Sequence, residues 1–383
     1  MTSTEDDIVL KLLHTADWHL GRRFRSFSEE ASLKLSRARL EVLDRIFNEA
    51  ERHAVDAVLC AGDLFDEPNP SSEWSAGLAD CLARRKWTNR PVFLLPGNHD
   101  PLLQDSVWFD PKFRRALPAW AHVIEAPGEF ALANGCVLHA VPCESRAGQL
   151  DPTAKIPSRA PGDERVRIGM VHGSTFDAPN AQTNFPIAKD AAVERGLDYL
   201  ALGDTHGFRF IPPERKQPPT IYPGAPEPTA FDERDPGSVA IVFISRQRRA
   251  MVTPRRVASW DWEEVAITSM AQLRQLVARQ DLKSRVLRVT VDLSVSAPEL
   301  DEAERLIEQL GGNQAVHGMA GVLDLRRDRL ELDVSNLSDW SQTLPQVLQT
   351  TVQKLQTVAH DPLRRPVAQR ALFHLFRSTR KAS

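Results

Sequence analysis

Short apolar runs punctuate the chain, each followed by a longer stretch of mixed polarity. "IVLKLL" (8–13), "DAVLCAG" (56–62), "VFLLPG" (92–97), "VRIGMVHG" (166–173), "DYLALG" (198–203) and "GSVAIVFIS" (237–245) have the length of buried strands. After the first run, Leu33, Leu40, Leu43 and Phe47 recur at helical spacing near 30–52. A second helical segment is predicted near 72–86, its start marked by Pro70-Ser71-Ser72. "HVIEA", "EFAL" and "CVLHAVP", between 122 and 142, read as successive strands, and "TIYPG" (220–224) as one more. Strands that first alternate with helices and then follow one another predict a layered α/β domain, its sheets packed between helices. The stretch 211–228 holds seven prolines. It reads as a rigid surface connection around a short strand, because strand-like sequence resumes after it.

The pattern changes near 255–262. Beyond it lie a strand-like run at 285–294, a helical run at 298–311, a hairpin-like pair around Arg326–Arg329 and a long helical pattern at 338–359. The division predicted is a first domain over 1–258 and a smaller C-terminal α/β domain with a helical tail over 259–383.

Five of the apolar runs end in the same chemical style. They lead into Asp17-Trp18-His19, Gly62-Asp63, Gly97-Asn98-His99-Asp100, His172-Gly173 and Asp204-Thr205-His206. In open α/β sheets ligands bind at the carboxyl ends of strands, so five such ends define one site. Side chains at i and i+2 of an extended segment point the same way, which would let Asp17 with His19, and Asp204 with His206, each present two ligands to one pocket. Oxygen and imidazole donors without thiolate suit manganese, iron, magnesium or zinc. Asp17, His19, Asp63, Asn98, His172, Asp204 and His206 are too many for one ion, whereas two divalent ions sharing a carboxylate would use them all.

Composition narrows the classes. The net charge is −3, so no global basic field announces a nucleic-acid binder, and any such binding needs a local patch. "GRRFRS" places Arg22, Arg23 and Arg25 directly after the first Asp-x-His, at the expected rim of the site. Arg246, Arg248, Arg249, Arg255 and Arg256 form a second patch without acidic residues between them. The tail 361–383 carries six basic residues against one acidic, and an apolar stripe of Val367, Ala371, Leu372, Leu375 and Phe376. That stripe fits either a core helix or a docking helix for a partner. No apolar run approaches the ~20 residues of a membrane span, the acidic start is unlike a signal peptide, and Cys60, Cys81, Cys136 and Cys143 form no CxxC pair. The expectation is a cytoplasmic protein with reduced, packing thiols and no membrane association.

The ordered set "HTADWHLG", "AGDLFD", "LPGNHD", "VHG" and "YPGAPE", spanning about 12–228, resembles the calcineurin-like metallophosphoesterase superfamily, and within it SbcD-type DNA-repair exonucleases, including the YhaO-like branch. The resemblance implies a layered β-sandwich flanked by helices, with a C-terminal domain that caps the first and binds a partner. It implies two divalent ions, manganese first, with magnesium or iron possible. Asp17, His19 and His206 would hold one ion, Asn98, His172 and Asp204 the other, and Asp63 would bridge them. His99 would contact the scissile phosphate or protonate the leaving oxygen. It further implies DNA as substrate, an SMC-like coiled-coil ATPase as partner and a possible homodimer. A two-metal phosphoesterase acting on a cyclic nucleotide or phosphoprotein is the alternative. Position 204 departs from the family pattern, which has a histidine there. Asp204 removes one unit of positive charge from the site, which should favour manganese or magnesium over zinc and a mildly alkaline pH optimum.

Overall fold

The computed structural model describes residues 7–175, 183–211, 216–311, 320–332 and 338–380. The acidic start (1–6), residues 212–215 of the proline-rich stretch, the end of the expected hairpin (333–334) and the last three residues of the basic tail lie outside the described residues. Contacts divide the chain into two units, Met1–Trp260 and Asp261–Ser383.

The first unit is built on two six-stranded sheets. One has β1 (Ile8–Thr15), β2 (Ala57–Cys60), β3 (Val92–Leu94) and β4 (Ala121–Val123) running parallel. The other has β5 (Gly128–Ala131) antiparallel to β6 (Val137–Val141), then β7 (Arg167–His172) and β8 (Tyr199–Gly203) parallel to it. β9 (Arg209–Ile211) and β10 (Thr220–Tyr222) flank the proline-rich stretch and close the second sheet beside β8. β11 (Ser238–Ser245) returns antiparallel to β1, and β12 (Ala250–Arg256) forms the edge beyond it. Pro254, which has no N–H for a ladder, is tolerated on that edge.

Alternation along the strands assigns the layers. Leu10, Leu12 and Leu59 pack with Leu138, Ile168, Met170 and Tyr199 between the sheets. Leu13, Val58, Cys60 and Leu94 face the other way and pack with Val42, Ile46, Phe47, Leu78 and Leu82. Those partners lie on α1 (Glu29–Arg52) and α2 (Ser72–Arg84), which share that face with α3 (Pro111–Ala116), whose Phe113 joins the same cluster. On the outer face of the second sheet, Val171, Leu200 and Leu202 pack with Ala191 and Ala192 of α4 (Ala191–Glu194). Strands buried on both faces read as continuous apolar runs, which is why they are visible in the sequence. The described residues contain no helix long and apolar enough to cross a membrane, and all four cysteines are buried and unpaired.

The second unit has its own core. β13 (Asp261–Ile267), β14 (Arg285–Val295) and β15 (Val322–Leu332) form a parallel sheet. It is covered by α5 (Met270–Val277), α6 (Ala297–Gly311), α7 (Ser338–Gln342), α8 (Gln346–Val358) and α9 (Arg365–Arg380). Two expectations are corrected here. The hairpin-like pair is one strand, because Thr290 pairs with Arg326 and Asp292 with Arg329 across a shift in register. The extra residue is absorbed as a bulge, so the charged run makes no turn. The helical pattern at 338–359 breaks into α7 and α8 before Pro345, which lacks the N–H that a continuing helix needs. The tail stripe also resolves. Leu372 and Phe376 are buried in the core of this unit, whereas Val367 is 72% exposed. Phe376→Ala should therefore lower the stability of the C-terminal unit by roughly 3–5 kcal/mol. Denaturant titration followed by a probe in that unit checks this.

Candidate metal centre

The loops after β1, β2 and β3 are fastened together before any side chain is considered. The Asp17 N–H donates to the Gly62 carbonyl (3.0 Å), His19 to Asp63 (2.9 Å) and Leu20 to Leu64 (2.9 Å). Asp100, fully buried, ties in the third loop. Its Oδ1 accepts from the Gly97 N–H (2.7 Å), and its Oδ2 from those of Leu64 (2.9 Å) and Phe65 (3.0 Å). Asp17, His19, Asp63 and Asp204 hold φ angles of +56°, +44°, +54° and +100°. Non-glycine residues keep this left-handed conformation only where their surroundings impose it. Asp17 and His19 thus reach the site from a turned backbone, not from the extended alternation expected. Two glycines are required by contact. A Cβ on Gly62 would lie 2.2 Å from His172 Nδ1, and one on Gly97 would lie 2.2 Å from Asp63 Oδ1.

The imidazoles carry the argument further. His19 Nδ1 faces Asp66 Oδ1 at 3.1 Å, and His206 Nδ1 faces Glu233 Oε1 at 2.7 Å and Thr229 Oγ1 at 3.0 Å. A ring nitrogen held by a carboxylate carries the proton. Both Nδ1 atoms are then donors, yet the two Nε2 atoms lie 3.1 Å apart. A cation, either a proton or a metal ion, has to lie between them. His172 repeats the pattern. Its Nδ1 donates to the Ala61 carbonyl (2.8 Å), while its Nε2 faces Asn98 Oδ1 (2.9 Å), Asp63 Oδ2 (3.4 Å) and Asp204 Oδ1 (3.9 Å).

The carboxylates are equally short of partners. Asp17 is fully buried. Its Oδ1 accepts from the Asp204 N–H (2.9 Å), but its Oδ2 has no hydrogen-bond partner. Burial pushes the Asp17 carboxyl up to about 6. Asp63 Oδ1 accepts from the His99 N–H (2.8 Å), leaving Oδ2 between His172 and His19, the latter 3.7 Å away. Burial opposes charge on Asp63, but the surrounding His172, His19 and His99 hold its carboxyl well below the usual range. Burial likewise works against charge on His172, yet Asp63, Asp17 and Asp204 raise it to about 10. Burial takes His19 down to about 4. Burial also raises the Asp204 carboxyl. Three donor sets emerge, each with its atoms within 4.8 Å of one another: Asp17, His19 and His206; Asp17, Asp63 and His172; and His19, Asp66 and His99. The third is the set in which Asp66 and His99 meet His19 from the side. Asn98 and Asp204 border the second set through His172.

His99 lies edge-on to His19, with ring centroids 4.7 Å apart, and its Nδ1 donates to the Asp66 carbonyl (3.1 Å). Arg22 is drawn to Asp66 (3.3 Å), while Arg23 and Arg25 are exposed. The second basic patch does not hold together. Ser245 pairs with Ile8, at the start of β1, whereas Ala240 pairs with His14 near its end. Arg246, Arg248 and Arg249 therefore follow the strand end remote from the site. Arg255 and Arg256, paired with Val239 and Ser238, lie at the near end.

Sequence reasoning gave no role to Asp66, Thr229, Glu233, Asp100 and Arg39. Asp66 closes the "AGDLFD" motif and Asp100 the "LPGNHD" motif, the available signals. Arg39, on α1 and fully buried, donates to the carbonyls of Trp18 (2.8 Å), Asp17 (3.3 Å), Glu227 (3.0 Å) and Pro228 (3.2 Å), bracing the backbone behind Asp17.

The chain is similar to several characterised and uncharacterised proteins. It is 27% identical over 220 residues to the uncharacterized metallophosphoesterase YhaO of Bacillus subtilis, covering 56% of this chain and 52% of that one. It is 34% identical over 234 residues to the SbcD component of the nuclease SbcCD of Rhodobacter capsulatus, covering 56% and 55%. It is 28% identical over 249 residues to the DNA double-strand break repair protein Mre11 of Methanosarcina mazei, covering 62% and 37%. The chain thus matches about half or less of the length of these relatives. A family model, calcineurin-like phosphoesterase, matches residues 10–208, the segment that contributes every residue of the three donor sets. With its layered α/β architecture and its cluster of buried carboxylates and imidazoles, the chain belongs to the calcineurin-like phosphoesterase family.

Proposed function

We propose that the chain is a two-metal phosphodiesterase that hydrolyses DNA, acting as an exo- or endonuclease in repair. The observation that carries the metal reading is the pair of Nε2 atoms of His19 and His206, 3.1 Å apart with both Nδ1 atoms already committed. The relatives named as part of a nuclease and as a double-strand break repair protein support DNA as the substrate.

Asp17, His19 and His206 would hold one ion, and Asn98, His172 and Asp204 the other. Asp63 Oδ2, 3.7 Å from His19 Nε2 and 3.4 Å from His172 Nε2, fits the bridging place. Bound divalent ions would supply a nucleophile from water near neutral pH and offset the charge of the phosphate. Manganese is the expected metal, because Asp204 offers oxygen where nitrogen is usual. Asp66, Thr229 and Glu233 fix the ring orientation of His19 and His206, so the donors need no rearrangement. His99 turns Nδ1 to the Asp66 carbonyl, which leaves Nε2 to touch the phosphate or protonate the leaving oxygen. Arg22, Arg23 and Arg25 contact backbone phosphates and set the position of the strand. The working assembly pairs this chain with an SMC-like coiled-coil ATPase in the cytoplasm.

Three outcomes are expected. His172 holds its proton up to about pH 10, so it must lose it when metal enters. Manganese uptake at pH 7–8 should therefore release a proton, and apparent affinity should rise with pH by up to roughly tenfold per unit. Calorimetry in buffers of different ionisation enthalpy reads this. Equal release from His172→Ala would contradict the assignment.

With manganese, the protein should cut labelled DNA and hydrolyse bis(p-nitrophenyl) phosphate. His99→Ala should keep its full metal content and lose about 10²–10⁴ of both activities. Hydrolysis of the small diester with DNA left intact would overturn the substrate, and an active His99→Ala would overturn that residue's role.

Asp204→His restores a unit of positive charge, which lowers the pKa of a bound nucleophile. Its pH–rate profile should shift to lower pH than that of the wild type. An unmoved profile would remove Asp204 from the site.

A further inference from the structure

A cavity of about 330 Å³ opens between the segments that follow β2 and β3, lined by none of the metal-centre residues themselves. Its walls include Asn69, Gln104, Asp105, Ser106, Phe109 and Asp110. These belong to the two loops that carry Asp63 and Asp66 on one side and Asn98 and His99 on the other. The segments are joined at the cavity wall, where the Val107 N–H donates to the Pro68 carbonyl (2.8 Å). Asn69 follows Asp66 by three residues, so its Cα lies at most ~11 Å away. That is about three nucleotide rises along a strand.

The lining has a definite chemistry. Phe109 is a large apolar ring left 44% exposed at the wall. Ser106 is only 2% exposed, and its Oγ has no hydrogen-bond partner, which a polar group at that depth does not tolerate without cost. Asn69 Nδ2 donates to Asp105 Oδ2 (3.2 Å), which leaves the amide oxygen of Asn69 and the other carboxylate oxygen of Asp105 as acceptors. Asp110 uses Oδ1 to accept from the Lys112 N–H (2.8 Å) and retains a second oxygen. Two carboxylates disfavour a phosphate here. A flat ring with amino groups at its edge satisfies both the aromatic face and the excess of acceptors.

We infer that this cavity takes a single unpaired nucleobase of the DNA strand, one to three nucleotides from the scissile phosphate. The base stacks on Phe109 and turns its exocyclic amine towards Asp105 and Ser106. The inference rests on the DNA reading above and adds a specificity element to it. A site for the base of an unpaired nucleotide makes the enzyme sensitive to strand ends, where bases are free to leave the stack.

The test uses the full chain with manganese and a series of otherwise identical oligonucleotides, each carrying an abasic site at one position near the cleaved bond. Bis(p-nitrophenyl) phosphate serves as the substrate that has no base to place. One abasic position should slow cleavage by the wild type about tenfold or more, the size of a base–aromatic stacking contact. Phe109→Ala should cut intact DNA at that slower rate and no longer distinguish the abasic strand. Asp105→Asn should change which base is preferred there, and both variants should hydrolyse the small diester like the wild type. DNA cleaved equally with every abasic strand would overturn the base site while leaving the nuclease reading intact. Phe109→Ala that retains the dependence, or that alters only the oligomeric state, would also overturn it. Hydrolysis of the small diester with no cleavage of any DNA would instead remove the nuclease reading on which the site depends.

Discussion

Buried lone pairs that converge without enough protons to separate them are the constraint from which the first unit takes its form. Asp17 Oδ2 and the Nε2 atoms of His19 and His206 converge where little water reaches, while Asp63 Oδ2 is answered by the proton that His172 carries until a metal ion replaces it. The unpartnered part of this cluster is repulsive on its own, and the penalty for a buried, uncompensated carboxylate runs to several kcal/mol. The fold tolerates it because the parallel strands of two mixed sheets present their carboxyl ends together and the loops leaving them are locked by main-chain hydrogen bonds. The left-handed backbone at Asp17, His19, Asp63 and Asp204 is part of the same arrangement. Strain and repulsion are both concentrated where a pair of cations would relieve them.

The support for this cluster is layered. Asp66, Thr229 and Glu233 determine which nitrogen of each histidine faces inward. Arg39 and Asp100 act one step further out, on the backbone of the loops themselves. A fully buried arginine among carbonyl oxygens is costly unless each N–H is matched, and here it holds the Asp17 loop against the stretch that follows β10. Arg39 thus ties together segments up to 189 residues apart in sequence.

How much of this was legible beforehand follows from the range of each interaction. The strands of the first unit were visible because they are buried on both faces. The strand ends were visible because polar residues there have no packing role. Asp66 was visible as the end of a motif but its role was not, and Glu233 was opaque, since the function of both depends on which imidazole they meet after folding. The same holds for register. Arg246 and Arg255 look adjacent in sequence, but the antiparallel return of β11 and β12 sends them to opposite ends of a sheet. The run Arg326–Arg329 resembles a turn and is a bulge within a strand, because β14 supplies a partner that sequence alone does not reveal. Pro345 was a readable signal, and the length of the helical pattern around it hid the break.

The decisive question is whether these donors hold two ions that share ligands. Metal content and electron paramagnetic resonance of the manganese-loaded protein answer it most directly. Two ions per chain with a spin-coupled spectrum, as expected for centres about 3.5–4 Å apart, is the result that convergent donors around Asp63 require. A single ion per chain, or two that give only the spectrum of isolated manganese, would contradict a binuclear centre.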